Sequence, residues 1–210
     1  MDRQSVFARL LRVTHHAAIP GLHRPGVVGK QLGKQLELLR EIVPRLSHVA
    51  LLVNPANPFH TASEQQVLAA ARVLHLKAQF VAVRAEAEFD HAFAVIAKDR
   101  PGALIMLADR LFLHHRARIV DFAGRNHLPA VYAYRELVEA GGLMSFGPSY
   151  PGMHRRAAYF VDKILKGARP ADLPMEQPSK FELVLNLKAA KLLGVAIPQS
   201  VLLRADQVIQ

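Results

Sequence analysis

The sequence predicts an α/β fold, an open parallel β-sheet flanked by helices on both faces. From Gln31 onward, short apolar segments alternate with amphipathic segments about every dozen residues, as in βαβ units with right-handed crossovers. The apolar segments are continuous, which is typical of parallel strands covered on both faces. After Gly141 the order changes to strand, helix, long connection and strand, which indicates a chain that leaves one lobe and returns.

The first 30 residues differ in composition from the rest. An Arg-rich amphipathic start precedes a Pro- and Gly-containing segment, and we predict a helix and a loop there. Four apolar side chains then share one helical face before Pro44 ends the helix, and they are Leu32, Leu36, Leu39 and Val43. We expect three parts: an atypical N-terminal segment (1–30), an α/β lobe (31–145), and a hinge crossover with returning C-terminal segments (146–210).

Within the lobe we predict four strands that alternate with helices. The strands are residues 48–53, 79–83, 103–107 and 129–133, and the helices between them end near residues 74, 98 and 126. Thr61 or Ser63 is expected to cap the helix after the first strand. In the next helix Phe89, Phe93 and Ile96 are expected to face inward.

The segment after Gly141 predicts a hinge. A Gly-Gly turn leads into a short strand, and a helix over residues 152–166 is stopped by Gly167. A connection containing several prolines then leads to a strand over residues 181–185 that opens another helix. Hinged lobes usually close on a small molecule.

Composition and motifs exclude several classes of function. The chain is 51% hydrophobic with no cysteine, so it can bury a core but has no disulfide or thiolate metal site. Its net charge of +10 comes from scattered residues without a nucleic-acid-binding pattern, so a nucleic-acid partner is not expected. We find no HExxH, Walker A, GxGxxG or GxSxG motif, and therefore predict no metal, no cofactor and no catalysis.

Polar and aromatic residues follow three of the predicted strands. Ligands of open α/β sheets bind beyond the carboxyl ends of the strands, which selects the candidate binding residues Asn54, Asn57, Asp109, Tyr132, Tyr134 and Glu136. Each has a structural alternative: the asparagines as a turn, Asp109 as a helix N-cap, the tyrosines as packing, and Glu136 as a cap or solvent-facing residue. Because Tyr132 and Tyr134 lie two positions apart near a strand end, we expect them to face the same way.

Several long segments resemble one family. VNPANP, EAGGLMSFGPSY and KILKGARPADLPMEQPSKFELVLN are similar to the ABC-transporter substrate-binding proteins of the tryptophan/tyrosine type, which have the type I periplasmic-binding fold. The resemblance covers about residues 24–210. It implies two lobes that capture a small solute, an amino acid or similar, in the cleft between them and pass it to an ABC permease. The matching cleft edge adds Ser145 to the candidate residues.

The chain departs from this family at its start. Arg3, Arg9 and Arg12 interrupt any apolar signal region, and most of the first lobe is missing, so we expect one full lobe plus returning segments of the other. The family location is extracytoplasmic, whereas the chain as written is expected in the cytoplasm. The loss of the first lobe would uncover the helix over 152–166 and favour a homo-oligomer. The alternative function is a cytoplasmic ligand-sensing or regulatory domain of the same fold class.

Overall fold

The structure, a computed structural model, describes residues 25–174, 176 and 180–210, with side chains from residue 31 onward. In chain order its elements are α1 (Pro25–Ile42), β1 (His48–Val53), α2 (Pro58–Val73), β2 (Lys77–Ala82), a 3₁₀ turn (Glu86–Glu88), α3 (Phe89–Asp99), β3 (Ala103–Met106), α4 (Arg110–His114), α5 (Arg116–Arg125), β4 (Ala130–Tyr132), α6 (Arg135–Glu139), β5 (Met144–Pro148), α7 (Tyr150–Leu165), a 3₁₀ turn (Pro170–Asp172), β6 (Phe181–Asn186), α8 (Leu187–Leu193), α9 (Gln199–Leu202) and β7 (Gln207–Ile209).

Seven strands in the described part of the chain form one sheet in the order β2-β1-β3-β4-β5-β6-β7. Strands β1 to β5 are parallel, which confirms the predicted fold class. Strand β6 runs antiparallel to β5, with Phe181 opposite Pro148. The chain leaves the sheet after Pro148 and re-enters it beside the same residue. The returning strand must therefore run in the opposite direction.

The sheet separates two hydrophobic clusters. Val49 and Leu51 of β1 face the cluster formed with α1 and α2, whereas Ala50 and Leu52 face the cluster formed with α3 to α6. This alternation follows from the period of two along a strand. All four of these side chains are completely buried, so β1 is covered on both faces, as its continuous apolar sequence predicted.

The helix after β1 begins earlier than predicted. Asn57 is its N-cap and accepts a hydrogen bond from the backbone N–H of Phe59, and Pro58 occupies the first turn. Proline is favoured there because its missing N–H would have no helical partner. Thr61 and Ser63 lie inside the helix, so the expected capping role for either of them is wrong.

Other boundaries also differ. Helix α1 begins at Pro25, within the segment for which a loop was predicted. The single helix expected over residues 109–126 is two helices that meet at His115. Phe89 and Ile96 are buried in α3 as expected, and Phe93 is partly buried. The prediction for residues 1–24 lies outside the described residues.

Helix α7 lies in the connection between β5 and β6. Ser149 caps it by accepting from the Gly152 N–H, and Arg156 ties it to Glu176 of the crossover. None of its residues is buried, and Tyr159 and Leu165 are 42% and 62% exposed. Tyr150 at its start packs against the cluster formed with α3 to α6, whereas the rest of this amphipathic helix leaves apolar side chains exposed.

None of the described helices is both long enough and apolar enough to cross a bilayer.

The close approach of β5 to the loop after β4 gives a test of the fold. A Cβ at Gly147 would lie 2.1 Å from the backbone oxygen of Ala133, so Gly147→Ala should lower the free energy of unfolding by about 1–3 kcal/mol. Gly124 of α5 is the control, because a Cβ there meets nothing within 4 Å. Gly124→Ala should raise stability by roughly 0.5–1 kcal/mol. Urea unfolding measures both, and equal stability of the two variants would contradict this packing.

Candidate functional site

A cleft of about 90 Å³ lies where α1 and α2 meet the carboxyl ends of β3 and β4. This is the edge at which open parallel sheets bind ligands. Its walls are apolar and aromatic, with a few amide and imidazole groups. The lining residues are Gln31, Leu32, Gln35, Phe59, His60, Leu107, Ala108, Ala133, Tyr134, Pro148 and Tyr150.

Asp109 joins the loops that follow β1 and β3. Its Oδ2 accepts hydrogen bonds from the side-chain amides of Asn54 (3.2 Å) and Asn57 (2.9 Å), and its Oδ1 accepts from the Leu111 N–H (2.9 Å). Three candidate residues are thus brought together, and Asp109 is also the N-cap of α4. The three lie beside the cleft rather than in its lining, so the network supports the wall.

The two asparagine side chains also make the turn that the sequence suggested. Asn54 Oδ1 accepts from the Ala56 N–H (3.0 Å), and Asn57 Oδ1 accepts from the Phe59 N–H (3.1 Å). Each amide therefore bonds its own loop through oxygen and Asp109 through nitrogen. The turn and the clustered network are compatible, because an amide offers both an acceptor and donors.

His60 is a cleft residue that the sequence analysis missed. Its Nδ1 accepts from the Asn54 N–H (2.7 Å), and its Nε2 lies 3.1 Å from the Ala108 carbonyl oxygen. These partners assign a neutral ring with the proton on Nε2. Burial lowers the pKa of His60, against the opposing effects of the Ala108 carbonyl and the Asp109 charge. With eleven histidines in the chain, the sequence distinguished it only by its position two residues after the Asn-Pro-Ala-Asn-Pro loop.

Two glutamines of α1 form the opposite side of the cleft. Gln31 and Gln35 both donate from Nε2 to the backbone oxygen of Phe146, at 3.1 and 2.7 Å. Their spacing of four residues places them on one helical face. One sequence feature could have identified this pair: both glutamines are polar residues next to Leu32 and Leu36, on the helical face that packs against the sheet.

The aromatic part of the cleft is formed by Tyr134 and Tyr150. Their ring centroids lie 5.1 Å apart at an angle of 37°. Burial raises the pKa of both phenols, so both remain protonated at neutral pH. Glu136 lies near enough for its charge to raise both pKa values further, and its own Oε2 is buried with no hydrogen-bond partner among the described residues.

Tyr132 and Ser145 lie elsewhere. Tyr132 is 1% exposed and lines a separate groove beside Gly142, where a Cβ would approach its Cε2 to 2.4 Å. Ser145 is the register partner of Tyr132 and Val184 and is buried between them. The rings of Tyr132 and Tyr134 thus line different cavities. Strand β4 ends at Tyr132, so the strand alternation used to align them does not reach Tyr134.

The charges of the cleft differ from those of the molecule. The described lining residues include no lysine or arginine, although the chain has a net charge of +10. His60 adds no positive charge while it is neutral. Across the described residues, no three His, Asp or Glu side chains are grouped to hold a metal ion. The arrangement can position and hydrogen-bond a small solute.

Comparison with solved structures shows the same fold. An ABC domain in complex with L-Trp from Streptococcus pneumoniae is 26% identical, with a TM-score of 0.79 over 85% of this chain and 60% of that one. A conserved domain protein from Vibrio cholerae is 25% identical, with a TM-score of 0.78 over 84% and 60% of the two chains. The ligand-free, open structure of a substrate-binding protein with adhesive properties from Clostridium difficile shares the fold at 20% identity, with a TM-score of 0.63 over 84% and 59%. This chain therefore spans about 60% of the length of these relatives.

Among curated proteins none matches this sequence. The family described as ABC transporter substrate binding protein matches residues 14–209. Its members bind substrates and are not enzymes, in agreement with the expectation from the motifs. Because the match extends over nearly all 210 residues, the chain belongs to the ABC transporter substrate-binding protein family.

Proposed function

We propose that this chain binds a small solute, an amino acid or similar, as the solute-binding component of an ABC import system outside the cytoplasm. The observation that carries the proposal is the cleft at the carboxyl ends of β3 and β4, with its aromatic and amide lining. Family membership supports the solute-binding role, and the permease is the partner that this role requires.

Aromatic solutes suit this lining. Phe59, Tyr134 and Tyr150 offer rings to a planar ligand, and an aromatic pair contributes about 0.5–1.5 kcal/mol beyond its buried area. The L-Trp bound by the Streptococcus pneumoniae relative supports the same class.

The cleft volume of about 90 Å³ is smaller than the roughly 300–1,000 Å³ of ordinary ligand pockets. We therefore propose that the described residues provide one wall of the binding site. The remaining contacts then come from groups outside the described residues.

Binding is tested by isothermal calorimetry and thermal unfolding with L-tryptophan, L-tyrosine and L-leucine. An aromatic amino acid at a hundredfold excess over its Kd should stabilise the chain by about 2.7 kcal/mol, because it binds only the folded state. L-leucine should have a smaller effect. Absence of binding by amino acids and other small solutes would contradict the proposed function.

The role of the tyrosine pair is tested by Tyr134→Leu, which keeps an apolar side chain but removes the ring. Solute affinity should fall at least tenfold, or about 1.4 kcal/mol. Tyr132→Phe is the control, because Tyr132 lines a different groove. The solute affinity of this variant should equal that of the parent chain. A folded Tyr134→Leu variant with full affinity would place the solute away from Tyr134.

The loop beside the cleft depends on neutral His60. Burial places the folded pKa below the ordinary value of 6.5, so the contribution of His60 to stability is complete above that pH. As the pH falls from about 6.5 through the folded pKa, the unfolded chain takes up the proton first, and stability is lost. In urea unfolding between about pH 7 and pH 5, the free energy of unfolding should fall less steeply for His60→Gln than for the parent chain.

The matched control for this pH dependence is His91→Gln, because His91 is exposed on α3. The His91→Gln variant should show the same dependence of unfolding free energy on pH as the parent chain. Equal slopes for His60→Gln and the parent would mean that His60 does not contribute to the acid sensitivity.

A further inference from the structure

Gln35 lines the cleft and carries a hydrogen-bond acceptor that has no partner among the described residues. The residue is 1% exposed, and its Oε1 is buried and makes no hydrogen bond to any described group. A buried polar atom left unpaired raises the free energy of the folded chain, because it has lost its hydrogen bonds to water. Such an atom in a binding cleft therefore favours a ligand that carries a donor.

The orientation of this amide is set by its other end. Gln35 Nε2 donates to the Phe146 oxygen at 2.7 Å, which leaves Oε1 as the free acceptor. Gln31 donates to the same carbonyl at 3.1 Å. The Phe146 carbonyl therefore keeps a partner when Gln35 is replaced, so a substitution at Gln35 tests the acceptor with little effect on this contact.

An unpaired oxygen alone does not define a site. Gln66 and Gln79 also have a buried Oε1 without a partner among the described residues, yet neither lines the cleft. Gln35 differs because it is almost fully buried and lines the same cavity as Tyr134 and Tyr150.

The surroundings favour a cationic donor. The lining residues that the structure describes carry no positive charge while His60 is neutral, and the buried Oε2 of Glu136 lies near the tyrosine pair. The faces of tyrosine rings attract cations. The lining residues include no lysine or arginine for a carboxylate, and the positive charge of Arg110 acts on Tyr134 less strongly than the negative charges of Asp109 and Glu136. An ammonium group, in contrast, would find acceptors.

We propose that this wall of the cleft binds the ammonium end of the solute, with Gln35 Oε1 accepting a hydrogen bond from the ligand N–H. The inference rests on the proposed function and narrows its substrate class to apolar or aromatic solutes that carry a primary ammonium group. The carboxylate of an amino acid is then recognised by groups outside this wall.

The test compares three indole ligands: L-tryptophan, tryptamine, which lacks the carboxylate, and indole-3-propionate, which lacks the ammonium group. The chain contains no tryptophan, so the indole fluorescence of each ligand reports binding directly. L-tryptophan and tryptamine should bind, and indole-3-propionate should bind at least about tenfold more weakly, because it cannot donate to Gln35.

Gln35→Met keeps the length of the side chain and removes the acceptor. It should weaken L-tryptophan and tryptamine binding by at least about tenfold and leave indole-3-propionate unchanged. Gln66→Met is the matched control, since it removes an unpaired oxygen outside the cleft, and it should leave all three affinities unchanged. Circular dichroism checks that both variants fold.

The outcomes separate the two proposals. If indole-3-propionate binds the parent chain as tightly as L-tryptophan, or if Gln35→Met weakens all three ligands equally, the ammonium site is overturned and the solute-binding function stands. If neither these ligands nor other amino acids bind, the proposed function fails, and this inference fails with it. If Gln35→Met does not fold, the comparison of ligands on the parent chain decides.

Discussion

The carboxylate of Asp109 is the contact on which the binding edge of the sheet depends. Parallel strands β1 and β3 end side by side, and their loops would diverge without a link. Asp109 accepts from Asn54 and Asn57 on one loop and from the Leu111 N–H on its own. Hydrogen bonds to an ionised acceptor are stronger than neutral ones. This network fixes Asn54, whose backbone N–H in turn orients His60 toward the cleft.

The polar groups in and beside the cleft are of two kinds, those paired within the protein and those left without a partner among the described residues. In the Asp109 network the acceptors and donors are matched within the protein, so these groups hold the wall in place. Gln35 and Glu136 instead keep buried oxygens without partners among the described residues. An unpaired acceptor in the cleft lining, such as that of Gln35, raises the energy of the empty cleft, and a ligand donor would remove that cost. The residue proposed for recognition is therefore distinct from the residues that support the wall.

The sequence predicted the strands well and individual side chains less well. The predicted bounds of β1 equal the observed ones at both ends. A strand that is buried on both faces has a continuous apolar sequence, which is easy to recognise. The cap of α2 was wrong because Pro58 in the first turn moves the helix start to Asn57. Tyr132 and Tyr134 were aligned by strand periodicity, but the strand ends between them. Gln31, Gln35 and His60 carried too weak a signal to be found.

By itself the sequence determined the fold class and selected the edge of the sheet at which the structure has a cleft. Both follow from local patterns: hydrophobic periodicity, strand–helix alternation and polar residues at strand ends. Only the tertiary structure decided which side chains share the cleft, because those residues come from α1, α2, two strand-end loops, the end of β5 and the start of α7. It also decided that Gln35 keeps an acceptor without a partner among the described residues. Hydrogen-bond pairing depends on atoms more than a hundred residues apart in the chain, such as Gln35 and Phe146, and no local pattern records it.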